Sequence, residues 1–163
     1  MFTIRAKYTD TVEVHTSIEK VREFFADIRN FVETMPEVES IHTDAKGITH
    51  WHIRVAVPLV GVFSQKFAVE LAENSDERLE WMPLTGEKQN FLRYAADFFE
   101  KSADSTMVSF TQMVELRRNS AKELHLFAGV AGEAFISSEM TRRIAGMIKI
   151  FVQKAKEKLE KQL

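Results

Sequence analysis

Sorted into apolar and polar positions, the chain opens on alternation. From Phe2 to Val14 the even positions Phe2, Ile4, Ala6, Tyr8, Val12 and Val14 are apolar, with Asp10 the one exception. A period of two marks a strand with one buried face. The period then changes. In HTSIEKVREFFADI the residues Ile18, Val21, Phe24, Phe25 and Ile28 share a helical face, and Thr16 with Glu19 three residues on has the form of a capping box. RNFVET predicts a second short helix, stopped before Met35-Pro36 because proline lacks a donor and restricts the residue before it.

Alternation returns in the middle of the chain. VESIHTDA turns at Lys46-Gly47 into ITHWHIRVAV, with Trp51, Ile53, Val55 and Val57 on one face and His50, His52 and Arg54 on the other. The next strand sets Phe63, Gln65, Phe67, Val69 and Leu71 against Ser64, Lys66, Ala68 and Glu70. NSDE then turns into RLEWMPL, TGEKQ into NFLRYAADFFEK, and SADS into TMVSFTQMVELRR. About seven strands with turn signals between neighbours predict a mostly antiparallel meander. From Glu133 to Leu159, Ile136, Met140, Ile144, Met147, Ile148, Phe151, Ala155 and Leu159 recur at three- and four-residue steps. That stripe makes a helix of roughly 40 Å, enough to cross the whole sheet.

The pattern predicts an α+β fold. A curved antiparallel sheet of about seven strands wraps around a long C-terminal helix, two short helices follow the first strand, and one domain spans residues 1–163. Between sheet and helix a cleft is expected, the default place for a ligand. Composition sharpens this point. Thirteen Phe and seven Met suit a core that lines an internal space.

Charge removes some functions. A net charge of −2 argues against a nucleic-acid partner, which needs a basic surface. Residues 140–163 carry seven Lys/Arg against Glu157 and Glu160, leaving that segment at +5 and the remainder at −7. Such a helix has a solvated basic face, or a site for an acidic partner or lipid headgroups. The absence of cysteine excludes disulfides, thiolate metal sites and cysteine nucleophiles. MFTIRAKYTD has no signal-peptide core and no apolar run approaches 18 residues, so a cytoplasmic, soluble protein without a transmembrane segment is expected.

Strand parity turns a specific set of side chains toward the cleft. Trp51, Ile53, Val55, Phe67, Val69 and Trp81 come from the first half of the sheet. Leu92, Tyr94, Phe98, Phe110, Gln112 and Val114 come from the last two strands, and the helix adds Met140, Ile144, Met147, Ile148 and Phe151. Each can line a ligand or simply pack as core. Gln112, Tyr94 and Asp10 are the polar members of inward faces, and a buried polar group needs a partner, internal or on a ligand.

Other patterns are weaker. His50 and His52 have a metal-compatible spacing on an outward face without a third ligand, and Arg93 with Asp97 suggests a rim pair. GVAG before the last helix suits a bend better than an anion site. With no nucleophilic triad and no paired carboxylates in the cleft, no catalytic residue, metal or cofactor is expected. One turn is unusual: Pro58, Leu59, Val60, Gly61, Val62 and Phe63 include neither a charge nor a hydroxyl, where surface turns usually use polar residues.

Three stretches carry a family resemblance. VREFFADIRNFVETMPEVESI, VAVPLVGVFSQKFAVEL and FAGVAGEAFISSEMTRRIAGMIKIFVQKAKEKL resemble the helix–aspartate–short-helix–proline segment (the aspartate being Asp27), the apolar turn and the glycine-bearing last helix of the START-like (SRPBCC, helix-grip) superfamily. Within it the chain is similar to the G-type accessory proteins of carbon monoxide dehydrogenase and to the polyketide cyclase/dehydrase families. Two departures stand out. Glu37 occupies the position after the proline where the family usually has glycine, and the sequence shows no membrane-anchoring extension up to Leu163, as many of those accessory proteins have.

The resemblance implies a cavity for a lipophilic small molecule, such as a quinone, lipid or polyketide-like compound, with the Pro58–Phe63 turn near its mouth. There the turn is a lip over the ligand, a contact to a membrane surface, or core against the helix. It leaves open a carrier, serving an oxidoreductase of the molybdenum-hydroxylase type if it acts as the dehydrogenase accessory proteins do. It also leaves open a cyclase/dehydratase using Tyr94 or Gln112, and a protein-interaction module using Arg142 and Arg143.

Overall fold

The computed structural model describes residues 1–161, so Gln162 and Leu163 of the basic segment lie outside the described residues. Strand β1 (Phe2–Val14) leads into helices α1 (Ile18–Ala26) and α2 (Arg29–Thr34). The strands β2 (Val38–Thr43), β3 (Thr49–Val57), β4 (Gly61–Asn74), β5 (Arg78–Pro83), β6 (Asn90–Ser102) and β7 (Ser105–Arg118) follow. After a 3-10 turn at Ala121–Glu123 come the one-turn α3 (Ala128–Ala131) and the long α4 (Glu133–Glu160). The order β1-β7-β6-β5-β4-β3-β2 makes one seven-stranded antiparallel sheet, a meander closed by β1 on β7. The α+β helix-grip architecture read from the sequence is therefore present, with α4 across the sheet.

Alternation explains why the strands form where they do. Along β7 every second residue from Thr106 to Arg118 is buried, and a slip of one position would turn that whole set to water. Helix α4 is attached mainly along one flank, to the free edge of β1. The Thr3 amide donates to Glu133 Oε1 at 2.8 Å and the Arg5 amide to Ser137 Oγ at 3.1 Å. At the far end the His15 amide donates to Glu160 Oε1 at 3.0 Å, and Lys156 Nζ to the Glu13 carbonyl at 2.8 Å. These side chains satisfy strand-edge groups that would otherwise need water or a partner strand.

Several local expectations are corrected. The α1 cap is Ser17, whose hydroxyl accepts from the Lys20 amide at 3.4 Å, so Thr16 and Glu19 form no capping box. Thr16 is buried and its carbonyl accepts from Thr106 Oγ1 at 3.0 Å. Ile28 lies off α1 altogether, as the residue preceding α2. Strand β4 begins at Gly61 rather than Phe63. Leu71 is half-exposed, because the β4–β5 register shifts between Leu71 and Glu73.

Candidate functional site

Toward the α1–α2 end, the interior is solid with rings. Phe31 of α2 stacks on Phe151 at 4.8 Å and meets Tyr94 at 5.3 Å and Trp51 at 5.5 Å. Tyr94 also stacks on Trp81 at 4.4 Å, while Phe25 meets Phe98, Phe110 and Phe151 within 6 Å. Trp51, Trp81, Tyr94, Phe98, Phe110 and Phe151, expected to line the cleft, therefore pack here against one another. Phe31 was not among the expected lining because it enters from a helix too short to show a periodic face. Val69, Leu92 and Ile148 are fully buried without reaching open space.

The other half is aliphatic and incompletely filled. Ile53, Val55, Phe67, Gln112, Val114, Met140, Ile144 and Met147, all expected, surround a cavity of about 20 Å³. Glu37, Phe63, Gln65 and Arg143, absent from the expected set, complete it. Because one water needs at least about 10–15 Å³, the cavity holds roughly one water. The wide lining thus closes the space instead of propping it open, since long flexible methionines follow whatever contour they meet.

Polar groups in the cavity wall and in the adjoining aromatic half lack partners. Gln112 is fully buried, and neither its Oε1 nor its Nε2 has a hydrogen bond. Tyr94, its direct partner across β6–β7, has an unpaired hydroxyl, and Trp51 an unpaired Nε1. Glu37 Oε2 and Arg143 Nε are also buried and unpaired. Among the described residues only one other buried side-chain atom, Arg22 Nε, shares that state. Each such atom costs about 1–3 kcal/mol until it is satisfied, so their concentration here needs a cause. Burial pushes the Tyr94 phenol well above its usual range, which keeps it a neutral donor.

A cation sits behind the cavity wall. Arg118, nine-tenths buried at the inward end of β7, donates to Gln65 Oε1 at 3.0 Å, Asn90 Oδ1 at 2.7 Å and the carbonyls of Gln89 and Arg117. Burial lowers its pKa, opposed by the fields of Glu123 and Glu87. A guanidinium stays charged in proteins, and Glu123 and Glu87 lie close enough to offset that charge.

The cavity borders an open surface groove on the β3 side. Pairing of β2 with β3 ends near Val38–Ile53, and the Arg54 amide donates to the Glu37 carbonyl at 2.8 Å. Beyond that point the edge of β3 faces α4 without a neighbouring strand. Glu37 and Arg143 line the cavity and also an open groove of about 290 Å³ outside it, shared with Pro36, Arg54, Ala56 and Val62.

The apolar turn borders this region. The Val60 amide donates to the Val57 carbonyl, with Pro58 and Leu59 between them, and Leu59 has φ 66°, a conformation glycine usually supplies. Val60 is buried and Phe63 walls the cavity, but Leu59 is 91% exposed. Gly61 lies under the His125 ring, where a Cβ would come within 2.8 Å of Nε2. The turn is thus part core and part exposed, divided residue by residue. Leu126, Phe127 and Val130, just beyond His125 in the chain, are exposed as well.

The remaining candidates are engaged elsewhere. His50 faces outward and bonds Asp44 Oδ2 at 2.8 Å, and His52 bonds Ser64 Oγ at 2.6 Å and Glu39 Oε2 at 3.0 Å. Arg93 and Asp97 do not pair: Asp97 binds Arg78, and Arg93 binds Glu80. Asp10 is half-buried and accepts from the Thr11 amide. Gly132 (φ 84°) makes the bend between α3 and α4. On α4, Arg142 pairs with Glu139 at 2.6 Å, and Lys149 lies over the Tyr8 ring at 5.5 Å.

With this geometry in hand, solved structures supply the comparison. The Zhui aromatase/cyclase from Streptomyces sp. R1128 matches with a TM-score of 0.61 at 15% identity, covering 93% of both chains. A START superfamily protein from Mycobacterium smegmatis matches at 0.63 and 13% identity, covering 96% of this chain and 99% of that one. The fold is START-like. The di-domain aromatase/cyclase BexL of the BE-7585A biosynthetic pathway also matches, at 0.62 and 20% identity, this START-like chain covering half of its length. No protein-family model matches the chain, and no curated protein matches its sequence. The START-like part of the resemblance is thus shown by the fold, while none of these matches supports the narrower likeness to the dehydrogenase accessory proteins. Among the described residues no helix is long and apolar enough to cross a membrane.

Proposed function

We propose that this START-like domain binds a lipophilic small molecule between the sheet and α4, as a carrier rather than a catalyst. The observation that carries the reading is the set of unpaired buried polar atoms on Gln112, Tyr94 and Trp51 in an otherwise apolar interior. A quinone or other carbonyl-bearing lipid would accept from the Gln112 amide and the Tyr94 hydroxyl, and its apolar body would supply roughly 25 cal/mol per Å² removed from water. Entry needs movement, because the free protein has room for little more than a water. The attachment of α4 to β1 leaves its β3-facing flank, with Met140 and Met147, free to yield; a ligand then selects the open arrangement.

Mild purification followed by solvent extraction and mass spectrometry tests this, with a Phe67→Trp, Ile144→Trp double variant as control. A stoichiometric lipophile present in the wild type and lost in the variant is expected. Nothing bound in either, together with no binding of an added quinone, overturns the reading.

A second reading is a cyclase/dehydratase-type enzyme, favoured by the unpaired Glu37 carboxyl on the cavity wall. It requires product from an added polyketide-like substrate and loss of turnover with binding retained in Tyr94→Phe or Gln112→Leu.

A further inference from the structure

We propose, resting on the cleft reading above, that Glu37 and Arg143 form a specificity gate. The gate admits an uncharged lipophile ending in a hydroxyl (an alcohol, enol or phenol) and rejects the same skeleton ending in a carboxylate. The two residues line both the inner cavity and the outer groove, so a ligand lying through the mouth passes between them. They belong to different lips. Glu37 is anchored by its backbone bond to β3, and Arg143 rides on α4 between Met140 and Met147.

Their chemistry selects the ligand's outer end. Arg143 Nε is a buried donor without an acceptor, and Glu37 Oε2 a buried acceptor without a donor. A hydroxyl is the smallest group that accepts from one while donating to the other. A hydrocarbon end leaves both unsatisfied. A carboxylate satisfies Arg143 but sets a second negative charge against Glu37. An ammonium satisfies Glu37 but opposes Arg143. The groove's other cation, Arg54, is engaged by Glu39 at 3.6 Å, and Arg142 by Glu139, so neither offers a carboxylate a free partner. At the inner end Gln112 and Tyr94 present neutral donors. The ligand therefore has a carbonyl inward and a hydroxyl outward.

Three anthraquinone probes differing only at one end test the gate: 2-hydroxyanthraquinone, anthraquinone-2-carboxylate and 2-methylanthraquinone. Quenching of the emission of Trp51 and Trp81 is followed at mildly acidic pH, where the phenol is neutral and the acid ionised. In the wild type the hydroxyl probe binds at least about tenfold more tightly than either of the others. Glu37→Gln removes the repulsion and brings the carboxylate to or above the hydroxyl probe, while Arg143→Met lowers the hydroxyl probe to the level of the methyl probe. Equal wild-type affinity for hydroxyl and carboxylate, or a ranking unmoved by Glu37→Gln, overturns the gate while leaving the cleft intact. Failure of all three to quench overturns the cleft reading, and the gate falls with it. The wild-type ranking needs no variant, and thermal midpoints of the two variants confirm that they fold.

Discussion

At one end of the interior Phe31, Phe151, Trp51, Tyr94 and Trp81 meet ring to ring at 4.4 to 5.5 Å. At the other, Met140, Ile144 and Met147 face Ile53, Val55 and Phe63 across about 20 Å³ of space. Both ends are built on the same sheet and the same helix. Rigid rings interlock at fixed angles and seal their end, whereas thioethers and branched aliphatics adapt and can part. Gln112 and Tyr94, paired across β6–β7, mark the seam where a ligand entering the soft end would stop.

The largest effect expected from breaking this contrast is at Phe31, which no solvent reaches. Phe31→Ala removes the ring that Trp51, Tyr94, Phe110 and Phe151 all touch, at a cost of about 3–5 kcal/mol of unfolding free energy. Urea unfolding measures it, and a loss below about 1 kcal/mol would show that the aromatic half is not a unit. Ile144→Trp at the soft end acts differently. Overpacking there costs about 1–3 kcal/mol, but the indole occupies the cavity, so binding of a quinone probe is abolished in a chain that still folds. Intact binding in that variant would place the ligand elsewhere.

Much of this architecture was legible, for a physical reason. Each strand buries one face and wets the other, so alternation in the sequence records the sheet, and the stripe from Ile136 to Leu159 records the face of α4. What alternation cannot record is whether an inward ring fills the interior or lines it. That depends on Phe31 arriving from α2 and on rotamers, so half of the expected cavity wall proved to be packed core. Caps were equally ambiguous: Thr16 and Ser17 have similar capping chemistry, and only the backbone chooses between them. Arg143 did leave a signal. It lies at the i+3 position between Met140 and Met147, a charge within the apolar stripe. Gln65 did likewise between Phe63 and Phe67. Glu37, alone after a proline, left none in the hydrophobic pattern and stood out only as a departure from the glycine usual in the family it resembles.

A smaller effect is expected at the seam. Gln112→Leu replaces a side chain whose two polar atoms are both buried and unpaired with an apolar one of similar size. Folding stability should hold or rise by about 1 kcal/mol, while affinity for a carbonyl-bearing probe falls. A clear loss of stability would mean that an internal water already satisfies the amide.

Tyr94→Phe is the mildest change and separates the hydroxyl from its ring. The ring stacks on Trp81 remain, so at neutral pH stability should change by less than about 1 kcal/mol. The difference is in alkali. Burial raises the folded-state phenol well above its usual value, whereas in the unfolded chain it titrates near 10. Below that pH both states hold the proton and this group adds no slope. Above it the unfolded state releases a proton that the folded state keeps, so stability falls as pH rises, by up to about 1.4 kcal/mol per pH unit. The wild type should show this alkaline loss and the phenylalanine variant should lack it, other groups cancelling in the comparison. Parallel unfolding curves across the alkaline range would mean that solvent reaches the hydroxyl, and the seam would then be open to water rather than reserved for a ligand.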